Sequence, residues 1–214
     1  PFRDFAQADQ REAFGQAVAA AQVPAVSIDA TSEDANAALA AATAAFPAWR
    51  DTPVKERAAM LCACADLMRS RRDMLSGVII RESGKTWREA DGDVCEAIDF
   101  LEYYARQAIG LFEPRRIGQF IGELDTEFQE PRGVAVIISP WNFPLAICCG
   151  MSAAALVTGN TTIIKPAEQT PGIAKLLVDM LHESGVPRDV VQFVPGKGET
   201  VGAQLVRDAR TSLV

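Results

Sequence analysis

A chain of 214 residues, 49% of them hydrophobic and 23% charged, carries enough apolar material for one or two buried cores and too much for a disordered segment. Its 21 basic and 28 acidic side chains give a net charge of −7, without the basic footprint of a nucleic-acid-binding domain. No apolar run reaches the roughly 18 residues of a membrane span, and the N-terminus lacks a signal-peptide layout. Five cysteines without framework spacing suggest a reducing, cytoplasmic setting, and a single histidine removes most His-based metal sites and triads. The chain opens on Pro1 rather than Met and stops at Val214 in mid-pattern, so we expect a piece of a longer protein.

Residues 1–112 read as helices. The first is the Ala-rich stretch Ala8 to Ala21. The second opens at Thr31-Ser32-Glu33-Asp34, a capping residue followed by first-turn acids, and is expected to end near Phe46, before Pro47. For the third, Thr52 caps, Pro53 takes the first helical position and Gly84 stops the helix. Along it Met60, Leu61, Cys64, Leu67, Met68, Leu75, Val78 and Ile79 form one apolar stripe. A fourth helix runs from Thr86 to about Leu111.

Residues 113–132 read as an extended arm or hairpin, with strands over 117–124 and around Thr126-Glu127-Phe128. In residues 133–214, the apolar run Val134-Ala135-Val136-Ile137-Ile138 reads as a buried parallel strand. Then come a helix from Leu145 to Val157, a strand at Thr161-Thr162-Ile163-Ile164, a helix from Gly172 to Glu183, and a strand at 190–194. A helix from Glu199 to Arg207 and a strand beginning at Ser212 complete the series. Strand–helix alternation with short links predicts βαβ units on a parallel sheet, an α/β class, with the fourth strand cut short.

In open parallel sheets, ligands bind beyond the carboxyl ends of the strands. Three loops are expected there: Ser139 to Pro144, Lys165 to Pro171, and Pro195-Gly196-Lys197-Gly198. Gly196-Lys197-Gly198-Glu199-Thr200-Val201-Gly202 is one residue off the dinucleotide fingerprint and follows the third strand, so by itself it reads better as a plain turn and helix start than as a nucleotide motif. Asn142 sits between two prolines, on a mount stiff enough for its amide to donate to a developing oxyanion; the alternative is an Asx-type turn. Lys165 and Glu168 would bind ribose hydroxyls or form a solvated surface pair. Cys62 and Cys64 face about 200° apart on a helix and cannot share a metal. Cys148-Cys149 reads as core, Cys95 as half-buried, and His182 as a favourable helix-end charge.

Taken together, Pro140-Trp141-Asn142-Phe143-Pro144, Lys165-Pro166-Ala167-Glu168-Gln169-Thr170-Pro171 and Pro195-Gly196-Lys197-Gly198 resemble the aldehyde dehydrogenase superfamily in order and spacing. Gly84-Lys85-Thr86-Trp87, residues 96–105 and Gly198-Glu199-Thr200-Val201-Gly202-Ala203 resemble its L-glutamate γ-semialdehyde (1-pyrroline-5-carboxylate) dehydrogenase branch, which includes the C-terminal half of proline utilization A proteins. The resemblance covers residues 31–214 and implies an atypical Rossmann-like domain that binds NAD. It makes Asn142 the catalytic oxyanion-hole residue, and Ser139, Pro140, Trp141, Lys165, Ala167, Glu168, Gly198 and Gly202 the cofactor-binding set, with no metal. It further implies an aldehyde substrate, a homo-oligomer and, in some members, an upstream proline dehydrogenase domain. The family's cysteine nucleophile and glutamate base lie beyond the last strand read here, so these residues alone are expected to be inactive. The alternatives are a succinate-semialdehyde-type enzyme and a non-catalytic nucleotide-binding or assembly module.

Overall fold

A computed structural model describes residues 2–214. The helices are α1 (Ala8–Ala20), α2 (Ser32–Asp51), α3 (Val54–Ser70), α4 (Arg72–Ser83), α5 (Trp87–Leu111), α6 (Ala146–Val157), α7 (Pro171–Glu183) and α8 (Ala203–Arg207). The strands are β1 (Arg115–Arg116), β2 (Thr126–Glu127), β3 (Val134–Ile138), β4 (Thr161–Lys165), β5 (Val191–Phe193) and β6 (Thr211–Leu213).

β3 to β6 form one parallel sheet in the order β5-β4-β3-β6. Alternate side chains of β3 enter two different cores, which is why that strand reads as a continuous apolar run. Ala135 and Ile137 pack with Ile164 and Val191 into the larger core, under Leu145, Leu156, Leu177 and Leu181 of the α6 and α7 segments. Val134 and Val136 pack with Ile163 and Val194 against Ala35, Leu39 and Ala42 of α2 and Leu205 of α8. The larger core continues without a break into α3, α4 and α5 through Leu61, Met68, Ile79, Val94 and Leu101. At roughly 25 cal/mol per Å² of apolar surface, each fully buried leucine or isoleucine contributes about 2 kcal/mol to this assembly.

Four local expectations are corrected. α2 does not end before Pro47 but runs through it to Asp51. Pro47 removes one helical donor, and the turn beyond it is held instead by tertiary bonds: Trp49 is buried and its indole N–H donates to Leu156 O at 3.1 Å. Pro53 stands before the first turn of α3 as its cap residue, while the Thr52 hydroxyl closes the preceding helix on Ala48 O at 3.0 Å. The single helix expected from Pro53 to Gly84 is two, α3 and α4, broken at Arg71. There the Arg71 N–H is shared between Leu67 O and Met68 O, and the two adjacent guanidiniums diverge: Arg71 to Glu183 at the end of α7, Arg72 to Asp91 in α5. Finally, the arm strands are shorter and displaced. Arg115–Arg116 pairs antiparallel with Thr126–Glu127, and most of 117–125 is loop, continued only by Ile117 N–H to Asp125 O.

Candidate functional site

The loops after β3, β4 and β5 converge beyond the carboxyl ends of the strands. Ser139 leaves β3 buried, its N–H donating to Lys165 O at 3.2 Å, so the first loop starts from a continuation of the ladder. Pro140 is half-buried; Trp141, Asn142 and Phe143 are exposed, and Pro144 is buried again. The Asn142 side chain bonds to no other described residue, so the Asx-turn alternative does not hold. Its amide stands free at the edge of a cavity of about 630 Å³ that Lys85, Glu89, Asp93, Glu96 and Asp99 also line.

The far end of this loop is tied to α5. α6 begins at Ala146 with no side-chain cap of its own and no acid in its first turn, leaving the Ala146 N–H without a local acceptor. Asp93, buried in α5, supplies one from 53 residues away: Oδ1 accepts from Ala146 N–H at 2.7 Å. Its Oδ2 accepts from Lys85 Nζ at 2.7 Å, and the same ammonium lies 3.9 Å from the centre of the Phe143 ring. Gly84, at φ 72°, gives α4 the left-handed ending that turns the chain so that Lys85 can reach Asp93. Sequence reasoning assigned no role to Lys85 or Asp93. The available signal was a helix α6 that starts without any local cap.

In the second loop, Lys165 is buried, and its ammonium has one partner among the described residues, Glu168 Oε1 at 3.3 Å. The same oxygen accepts from Gly198 N–H at 2.9 Å, so Glu168 ties the β4 loop to the β5 loop. The Gly198 N–H, and then the Lys165 ammonium, hold the Glu168 carboxyl below its usual range. Ala167 is buried behind this pair. The expectation of one helix from Glu199 to Arg207 is corrected: Gly198–Gly202 is a single π-helical turn, with Gly202 N–H bonded to Lys197 O, and only then does α8 begin. Gly196 is the glycine that sterics require, since a Cβ there would come within 2.5 Å of Val201 and 2.9 Å of Ala30 O. At Gly198 a Cβ would meet only Glu168 at 3.7 Å, and at buried Gly202 it would meet nothing within 4 Å.

No thiol is prepared for nucleophilic work. Burial raises all five, Cys64 and Cys148 to about 12 and Cys149 well above its ordinary value. His182 Nδ1 lies 3.1 Å from Val186 O, so its N–H closes the end of α7. Among the described residues no group of His, Cys, Asp and Glu could hold a metal ion, and no helix is long and apolar enough to cross a membrane.

Known proteins are similar to this chain in sequence and in fold. 1-Pyrroline-5-carboxylate dehydrogenase 2 of Bacillus subtilis (strain 168) is 48% identical over 185 residues, 86% of this chain and 36% of the relative. A Halalkalibacterium halodurans 1-pyrroline-5-carboxylate dehydrogenase 2 is 45% identical over 193 residues, 90% of this chain and 38% of its own. The chain thus spans little more than a third of these curated relatives. A crystal structure of proline utilization A from Bdellovibrio bacteriovorus, inactivated by N-propargylglycine, matches 99% of this chain and 25% of its own at a TM-score of 0.92 and 38% identity. The 1-pyrroline-5-carboxylate dehydrogenase from Thermus with bound NAD matches 99% of this chain and 47% of its own, at 0.91 and 36%. The sequence profile of the aldehyde dehydrogenase family matches residues 7–214. With its profile, its close relatives and its fold in agreement, this chain belongs to the aldehyde dehydrogenase family.

Proposed function

We propose that these residues form the cofactor-holding portion of a cytoplasmic, NAD-dependent dehydrogenase that oxidises L-glutamate γ-semialdehyde to L-glutamate in proline catabolism. The observation that carries the cofactor reading is the Lys165–Glu168–Gly198 link at the carboxyl end of the sheet. Lys165 is 5% exposed, yet two of its three N–H donors have no partner among the described residues. A ribose diol between ammonium and carboxylate would take those donors and donate to Glu168. The space at Gly202 leaves the adjacent turn open to the adenine side. When bound, NAD would supply the hydride acceptor, and Ser139, Pro140, Trp141 and Ala167 would help hold it beside the Lys165–Glu168 pair.

Asn142 supplies the oxyanion donor: its side-chain amide has no partner among the described residues and lines a cavity large enough for a small aldehyde. With Asp93 paired to Lys85, the carboxylates of Glu89, Glu96 and Asp99 remain to set the charge of that cavity, which favours an aldehyde bearing an ammonium group over a succinate-semialdehyde type. The five raised thiols fit a nucleophile that lies outside these residues, so the 214 residues alone bind cofactor without oxidising aldehyde. The exposed arm residues Ile117, Phe120, Ile121 and Leu124 suit assembly with further copies, and the likeness to proline utilization A suits an upstream proline dehydrogenase domain.

Titration of the chain with NAD, followed calorimetrically, tests the cofactor reading. Saturable binding should weaken about tenfold or more in Lys165→Ala/Glu168→Ala, the loss of two charge-assisted hydrogen bonds. Unchanged affinity in the variant, or no binding to the parent chain, would refute it.

A further inference from the structure

Asn142 can stabilise an oxyanion only if its amide already points the right way before substrate arrives, because the value of such a donor lies in not having to reorganise. Its own side chain has no partner among the described residues to aim it. Orientation must come from the backbone on either side. Upstream, the ladder bond from Ser139 N–H to Lys165 O sets the exit from β3. Downstream there is no ladder, and α6 begins uncapped by its own sequence.

The downstream anchor is the Asp93–Lys85 pair. The Asp93 side chain is completely buried and Lys85 is 12% exposed, so neither is a solvated surface charge. Both Asp93 oxygens are used, one on the first N–H of α6 and one on the lysine. The lysine then places its charge on the Phe143 ring, the residue next to Asn142. Ile147 N–H donates to Phe143 O at 3.3 Å, which joins the ring's backbone to the same first turn. A buried carboxylate would be costly unless paired, and the largely shielded Lys85 ammonium gains a further contact from the Phe143 ring. Each part therefore stabilises the others, and the loop between Ser139 and Ala146 is held at both ends.

We propose that Lys85 and Asp93 are positioning residues for the Asn142 amide: Asp93 fixes the start of α6, and Lys85, bonded to Asp93, clamps Phe143 and with it the orientation of Asn142. This rests on the reading of Asn142 as the oxyanion donor. Both stand in the cavity wall as a mutually neutralised pair, and their effect on kcat passes through Asn142.

The test is a double-mutant cycle in the full-length dehydrogenase that carries these residues, with NAD saturating. Lys85→Met, at a partly exposed position, keeps the stem of the side chain and removes the charge. It should lower kcat by about tenfold to a hundredfold, the range for a displaced catalytic group, with KM for NAD unchanged. Lys85→Arg, which keeps a cation over the ring, should recover most of that loss. Asn142→Ala should lower kcat by about a hundredfold or more. In the Asn142→Ala background, Lys85→Met should then cost less than twofold. If both single variants are impaired and their effects multiply, Lys85 acts on general stability and the positioning role is wrong while the Asn142 reading stands. A fully active Asn142→Ala enzyme would overturn both. Hydrogen exchange at Ala146 adds a reading independent of turnover: Asp93→Asn or Lys85→Met must speed it, and unchanged protection in both variants sinks the proposal.

Discussion

Single side chains decide much of this molecule by linking elements that are distant in sequence. Arg57 is 3% exposed and has no carboxylate partner among the described residues. Its guanidinium donates to Val157 O at the end of α6 and to Trp49 O, Arg50 O and Thr52 O at the end of α2, and lies 5.5 Å from the centre of the Phe112 ring. It neutralises the negative ends of two helices at once, the role that terminal dipoles assign to a cation. Burial lowers its pKa from the ordinary arginine value. Arg57→Met should cost about 3 kcal/mol by urea unfolding, because several buried carbonyls lose their donor together. Arg57→Lys should restore little, since a point charge cannot span four acceptors. A loss below about 1 kcal/mol in Arg57→Met would show that water replaces the guanidinium.

Among the elements, helix starts were more legible than helix ends. Thr31 with Asp34 and Thr86 with Glu89 each form a reciprocal capping box, and both helices start where those residues predict. The ends of α2 and α3 were misread because the signals there, Pro47 and a polar run at 69–73, are weak against tertiary bonds from Arg57, Trp49, Glu183 and Asp91. The Thr86 hydroxyl and N–H lower the Glu89 pKa, and those of Thr31 lower that of Asp34. A depressed folded-state pKa gives stability that is present above the ordinary carboxylate range and lost as pH falls through the lowered value. Amide exchange in the first turn of α5 should therefore quicken relative to the helix centre as the solution is acidified. Glu89→Gln keeps the geometry without the titration and should flatten that dependence. An identical pH profile in this variant would exclude Glu89 as the source.

For the whole molecule, the parallel sheet with a core on each face was readable because β3 and β4 are short, β-branched apolar runs bounded by glycine or polar loops. The same cores govern the cysteines. At pH 7, iodoacetamide should label the native chain more slowly than free cysteine at every thiol, with Cys64, Cys148 and Cys149 protected until global unfolding. Mass spectrometry should then count all five thiols in urea. Fast native labelling at any one of them would identify a nucleophile that the fold does not account for.

The positions of Asn142, Lys165, Glu168 and Gly198 at strand ends followed from the order of elements, since a strand run and the loop after it are local features. Their partners did not. Asp93 meets Ala146 across 53 residues, Trp49 meets Leu156 across 107, and Glu168 meets Gly198 across 30. By itself, the sequence determined the alternation of elements, the helix caps and the three loops, because propensity, periodicity and turn chemistry act over a few residues. Tertiary structure alone decided where α2 ends, why one apparent helix became α3 and α4, and which buried charge starts α6. Those outcomes depend on polar groups that must find partners once water is excluded, and the partners are brought together only by packing.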